Sequence, residues 1–162
     1  MRIDVLTIFP DLFTGFLATS IPANAIAEGA LLCHVHDIRA YAANKHHKVD
    51  DRPFGGGPGM VMMCQPIFDA VQAAESQDSS PDVRAVRVLL TPQGERLTQP
   101  RVEWLAQQPR LLLLCGHYEG IDERVIEELN PLEISIGDYV LSGGELGAMV
   151  LIDAEARLQP GV

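Results

Sequence analysis

Three short stretches carry glycine next to side chains that could bind a ligand or move a proton: TPQGERL from residue 91, GHYEGID from residue 116 and GDYVLSGGE from residue 137. Together they offer Thr91, Gln93, His117, Tyr118, Glu119, Asp122, Asp138, Tyr139, Ser142 and Glu145. Glycine lets a backbone approach a ligand closely and adopt positive φ. Leu90, Ile136 and Leu141 could wall a flat ring, backbone groups could read its edge, and a carboxylate could hold a ribose hydroxyl or a positive centre. That mixture suits an adenosine-like ligand. Local basic charge is nearly absent, so a triphosphate does not suit it. No GxGxxG follows the first apolar run, and no GK[ST] follows the glycines at 55–59, which removes the dinucleotide and Walker signatures. His117 and Glu119 could form an acid–base pair, although residues this close in a loop need not face each other. Cys115 ends an apolar run, where a buried thiol is the usual occupant.

The elements that must carry these stretches follow from hydrophobic pattern. Residues 85–90, 111–115 and 132–136 are apolar runs that read as strands, each followed by one of the three stretches. Helical patterns then follow at 99–107, 123–129 and 146–158, with Trp104 on the core side of its helix. Strands apolar on both faces predict a parallel sheet covered by helices, and in such sheets ligands bind at the carboxyl ends of the strands. Earlier in the chain, residues 2–9 read as a strand. Pro10 opens a helix with Leu12, Phe13, Phe16 and Leu17 on one face, residues 21–28 form a second helix closed by Gly29, and residues 31–38 form another strand. Residues 66–77 read as a helix and 76–82, SQDSSPD, as a surface loop. The fold class expected is α/β, one domain over 1–162.

Residues 39–59 break the rhythm. They contain Arg39, Lys45, Lys48 and Arg52, four of the twelve Lys and Arg in a chain of net charge −10. This is the one local candidate for phosphate contact, a solvated loop being the alternative. The glycines at 55–59 must form a loop, either mobile or pressed against something. His46, His47, Asp50 and Asp51 lack standard metal-ligand spacing, so no metal site is assigned, and a Mg2+ requirement is not legible in the residues. The acidic balance argues against a dedicated nucleic-acid-binding module, but not against an enzyme that grips nucleic acid through another domain or subunit. Three isolated cysteines, Cys33, Cys64 and Cys115, read as buried thiols in a reducing, cytoplasmic setting. The first residues lack the long apolar stretch of a signal peptide, and no run is long enough to span a membrane.

Four motifs in order, VDDRPFGGGPGMVMM, LLTPQGERL, LLLLCGHYEGIDERV and EISIGDYVLSGGELGAMVLID, resemble the bacterial tRNA (guanine-N1)-methyltransferase (TrmD) family, almost end to end. That family belongs to the knotted α/β methyltransferases, the SPOUT superfamily. The resemblance implies a C-terminal deep trefoil knot where pattern rules alone predict an unknotted, doubly wound sheet. It implies S-adenosylmethionine bound in a bent form at Leu90, Pro92, Gly116, Glu119, Ser135, Ile136, Gly137, Tyr139, Leu141, Gly143 and Gly144. It implies a homodimer with shared active sites, and tRNA as partner, with Lys45, Lys48, Arg52 and Gly57 as contact candidates.

The chemistry so implied is methyl transfer to nitrogen-1 of the guanosine 3′ of the anticodon. Arg157 matches the arginine that steadies charge on the guanine oxygen, and Glu119 lies near the methionine end of the cofactor. Asp153 sits one turn before Arg157, where an intrahelical ion pair is expected. The family's aspartate base lies in a linker before a C-terminal tRNA-binding domain, both expected beyond Val162. The fragment is therefore expected to bind cofactor and dimerise but to methylate weakly. His117 stands where some relatives carry arginine. The other functions considered are a non-catalytic nucleotide- or cofactor-binding module and a different knotted RNA methyltransferase.

Overall fold

A computed structural model describes residues 1–77 and 82–162. The loop expected at 76–82 therefore lies largely outside the described residues. Five parallel strands form the central sheet: β1 (Arg2–Thr7), β2 (Leu32–Asp37), β5 (Val86–Arg96), β6 (Arg110–Cys115) and β7 (Leu132–Ser135), in the order β2-β1-β6-β5-β7. A two-residue antiparallel pair, β3 (Asp50–Asp51) and β4 (Val61–Met62), stands apart. Alternation along each strand divides the core. In β6, Leu111, Leu113 and Cys115 face one layer while Leu112 and Leu114 face the other. The first layer is α1 (Leu12–Leu17), α2 (Ser20–Ala27), α4 (Gln99–Ala106) and α6 (Glu145–Ala156), meeting the sheet through Phe13, Ala25, Leu105, Leu151 and Ile152. The second is α3 (Cys64–Ser76) and α5 (Glu123–Leu129), meeting it through Ile67, Ala70, Val71 and Val125. Parallel pairing and helices on both faces account for the apolar run Leu111 to Cys115 in β6.

Several sequence expectations need correction. TPQGER is not a loop between elements, because β5 continues through it to Arg96. The register against β7 slips between Leu90 and Glu95, so residues 91–94 bulge out and β5 then rejoins the same partner. Gly94 permits this, since a Cβ there would overlap the β7 backbone at Ile134. Trp104 is 43 % exposed rather than core, and the Arg101 guanidinium lies 5.5 Å from its ring. Leu12 is exposed although its neighbour Phe13 is buried. Among the thiols only Cys115 is fully buried; Cys33 and Cys64 are half-buried.

Sheet interior also holds charge. Asp4 in β1 is fully buried and accepts hydrogen bonds from Arg2, His36 and Arg110, at 3.0, 2.8 and 3.1 Å for the closest atoms. Burial alone would raise its pKa, but the bonds from His36 and Arg2 and the two guanidinium charges hold it down at about 2. Arg110 also donates to the carbonyls of Ala74 and Glu75, which ties the end of α3 to the sheet. Among the described residues, no helix is long and apolar enough to cross a membrane.

Candidate functional site

A cleft of about 420 Å3 opens at the carboxyl ends of β5, β6 and β7. β5 contributes its bulge, and β6 and β7 contribute the segments that follow them. From β5 come Leu90 and the bulged Thr91, Pro92 and Gln93; from beyond β6 come residues 116–121; from beyond β7 come residues 136, 137 and 139–144. Every position expected to hold the cofactor lines this one cleft: Leu90, Pro92, Gly116, Glu119, Ser135, Ile136, Gly137, Tyr139, Leu141, Gly143 and Gly144. Asp138, Arg157, Lys45, Lys48, Arg52 and Gly57 do not line it.

Local bonding explains the shape. At the end of β7, Ser135 Oγ donates to the Gly137 carbonyl at 2.9 Å, which turns the chain sharply. The Tyr139 ring then folds over Gly137, where a Cβ would strike it. Further on, the Gly144 amide donates to the Gly116 carbonyl at 2.9 Å, and residues 117 and 143 form a bridge. These contacts lay the last segment across the loop after β6. A Cβ on Gly144 would lie 2.9 Å from Cys115 Cα, so only glycine lets the two backbones touch. Gly144 also precedes α6, whose first turn presents backbone N–H groups beside the cleft.

The glycine-rich run at 55–59 is pressed against this site at one end. Glu119 N donates to the Met60 carbonyl, Met62 N to Gly120, and Asp122 N to Met62, all at 3.0 Å. Gly59 has φ +82°, and a Cβ there would strike the Glu119 side chain. Asn44 clamps Lys48 through two hydrogen bonds of 2.7 and 2.8 Å, while Lys45, Lys48 and Arg52 stay exposed outside the cleft.

Electrostatically the walls are acidic. Glu119, Glu123 and Glu133 line the cleft and no lysine or arginine does. The His117–Glu119 pair considered as one possibility from sequence does not form: among the described residues, no hydrogen bond or ion pair joins the two. His117 Nε2 instead lies 3.8 Å from Oε2 of Glu145, a buried residue that receives a 2.8 Å hydrogen bond from Thr7 Oγ1. The loop geometry decides this, since Glu119 turns toward Gly59 and leaves His117 facing α6. Thr7 is a residue that sequence reasoning missed; a polar residue closing an apolar strand is the only signal it offers. Burial, helped by the Glu145 charge, pushes the Cys115 thiol well above its ordinary pKa, as suits a structural thiol. Asp122 caps α5 by accepting from Arg124 N at 3.0 Å, and pairs with the Arg124 side chain. Arg157 is exposed just past α6 and, among the described residues, makes no ion pair with Asp153. Among the described residues no three His, Cys, Asp or Glu side chains converge as a metal site.

An S-adenosylmethionine-sized ligand fits these walls. The volume is within the range of small-molecule sites, the apolar side chains suit an adenine ring, and the carboxylates suit a sulfonium and an ammonium.

The chain is similar to known proteins over its whole length. The family model for tRNA (guanine-1)-methyltransferase TrmD matches residues 1–162. A tRNA (guanine-N(1)-)-methyltransferase of Moorella thermoacetica is 58 % identical over 100 % of this chain and 64 % of its own length. The one of Chloroflexus aurantiacus is 55 % identical over 100 % of this chain and 63 % of its own. This chain thus spans a little under two thirds of both relatives. The crystal structure of tRNA (m1G37) methyltransferase from Aquifex aeolicus superposes with a TM-score of 0.90 at 38 % identity, over 100 % of this chain and 71 % of that one.

Proposed function

The chain belongs to the tRNA (guanine-1)-methyltransferase family, and from that premise we propose that its cleft holds S-adenosylmethionine for methylation of nitrogen-1 of the guanosine 3′ of the anticodon in tRNA. The observation that carries this reading is the convergence of Leu90, Pro92, Gly116, Glu119, Ser135, Ile136, Gly137, Tyr139, Leu141, Gly143 and Gly144 on one cleft. When bound, the cofactor supplies an electrophilic methyl group.

The chain's own residues orient and enclose it. Ile136, Tyr139 and Leu141 wall the adenine and shield it from water, while backbone groups between Ile136 and Gly144 read its edge. Glu119 steadies the positive end of the ligand by charge. Arg157, exposed beyond α6, acts across a homodimer in the site of the second subunit, where it steadies charge on the guanine oxygen. Support for self-association comes from Leu146 and Val150, one turn apart on α6 and 53 % and 47 % exposed. Sedimentation as a monomer at micromolar concentration would count against it.

The same reading includes a trefoil knot formed by the segments after β5, β6 and β7. The 2.9 Å bond from Gly144 N to the Gly116 carbonyl and the bridge between residues 117 and 143 support it, because they bring the segments after β6 and β7 across one another. An experimental structure with residues 136–144 unthreaded would overturn it. Lys45, Lys48 and Arg52 are proposed to meet tRNA phosphate, with Gly57 letting the backbone come close. Titration of the 162-residue chain with S-adenosylmethionine tests the cofactor reading. Saturable binding is expected, weakened about tenfold in Tyr139→Ala; unchanged affinity in that variant would overturn the assignment of the pocket.

A further inference from the structure

His117 is the one side chain among those lining the cleft that can carry positive charge, and its ring is firmly held. It stands edge-on to Phe9 with centroids 4.9 Å apart and to Tyr118 at 5.5 Å. Its Nε2 approaches Glu145 Oε2 at 3.8 Å, and Thr7 Oγ1 secures the other oxygen of that carboxylate at 2.8 Å. Thr7 Oγ1 in turn accepts from the Phe9 amide at 2.9 Å, so the residue against the His117 ring and the residue anchoring Glu145 are braced together. A Cβ on Gly143 would overlap both the His117 ring and the Glu145 carboxylate, so glycine there is what lets the two meet. A carboxylate beside an imidazole governs which nitrogen carries the proton and how the ring is turned. Nδ1 has no hydrogen-bond partner among the described residues.

S-adenosylmethionine carries a sulfonium, an ammonium and a carboxylate. Glu119, Glu123 and Glu133 on the walls suit the two cations and repel the anion. The anion needs a donor, and His117 is the one lining side chain that can offer a positively charged one. We propose that His117, positioned by Glu145 and Thr7, receives the carboxylate of the cofactor's methionine part. The proposal rests on the cofactor reading above and assigns Glu145 and Thr7 as positioning residues that need not touch the ligand.

Calorimetric titration of the 162-residue chain with S-adenosylmethionine and with its decarboxylated form separates the claims. The second ligand keeps the adenosine, sulfonium and amine and lacks only the carboxylate. His117→Phe, which keeps an aromatic ring against Phe9 and Tyr118, is expected to bind S-adenosylmethionine about tenfold more weakly, with the decarboxylated ligand within about twofold of the wild type. Glu145→Gln, nearly isosteric, is expected to show a smaller loss with the same selectivity. An equal loss for both ligands in either variant would assign the ring to packing and overturn the proposal. Unchanged S-adenosylmethionine affinity in His117→Phe would overturn it too. Failure of both ligands to bind the wild type would instead bring down the cofactor reading itself, and this assignment with it.

Discussion

Helix α6 buries a glutamate near each end, and the two are treated differently. Glu145, in the first turn, is 3 % exposed; it accepts a hydrogen bond from Thr7 and lies beside His117. Glu155, in the last turn, is fully buried, and among the described residues neither carboxylate oxygen has a hydrogen-bond partner. Burial pushes Glu155 up to about pH 8, so it sits as a neutral acid under ordinary conditions. The difference teaches that burial of a carboxylate is no sign of a site. A site appears where the carboxylate is held by one group and aimed at another, as at the cleft end. The opposite end stores a pH-dependent cost that the cleft does not explain.

The contrast can be broken from the costly end first. Glu155 has its pKa raised from 4.5 to about 8 on folding. The sign follows: stability is fully present below 4.5 and declines as pH rises through 8. Above that point the loss is on the order of 5 kcal/mol. Urea unfolding of Glu155→Gln should therefore be flatter with pH and should gain most over wild type at pH 9; parallel wild-type and variant curves would refute the contrast. Asp4 tests the same idea with partners present. Its pKa falls on folding from 3.8 to about 2, so its contribution is present above 3.8 and disappears as pH drops through 2. Asp4→Asn should lose about 3 kcal/mol at pH 7, because the buried carboxylate's ion pairs with Arg2, His36 and Arg110 are lost.

At the cleft end, Gly143→Ala should cost about 2 kcal/mol in thermal unfolding by driving His117 and Glu145 apart. It should also weaken cofactor binding in calorimetry, whereas Glu155→Gln should leave binding alone. The smallest expected effect is at Thr7. Thr7→Val keeps the shape and leaves Glu145 without its donor, for a loss of about 1 kcal/mol by urea melting. A Thr7→Val protein as stable as wild type would mean that Glu145 does not depend on this bond.

Much of the fold was legible because its signals are local. α5 spans the residues its apolar spacing predicts, and the helix of residues 20–27 ends at Gly29, which has φ +73°. In β6 the apolar residues Leu111 to Cys115 are buried throughout, as a run apolar on both faces requires. The family motifs carried the cleft positions with them: Gly144 lets two backbones touch, and Gly137 and Gly143 leave room for the side chains of Tyr139, His117 and Glu145. Misreadings came where tertiary contacts override a local pattern. TPQGER reads as a loop from its Pro and Gly, yet the backbone of β7 recaptures the chain at Glu95 and Arg96 and makes it strand. Trp104 reads as core from helical spacing, but stays half in water under Arg101.

By itself the sequence determined the α/β pattern, the family, and which glycines and apolar residues could make a ligand edge. Those depend on composition within a few residues of each position. Only the tertiary structure decided that His117 answers to Glu145 rather than Glu119, and that Thr7 holds Glu145 from 138 positions away. A side-chain partner across the sheet is chosen by strand order and by which way a loop turns, and neither is written in the neighbouring residues.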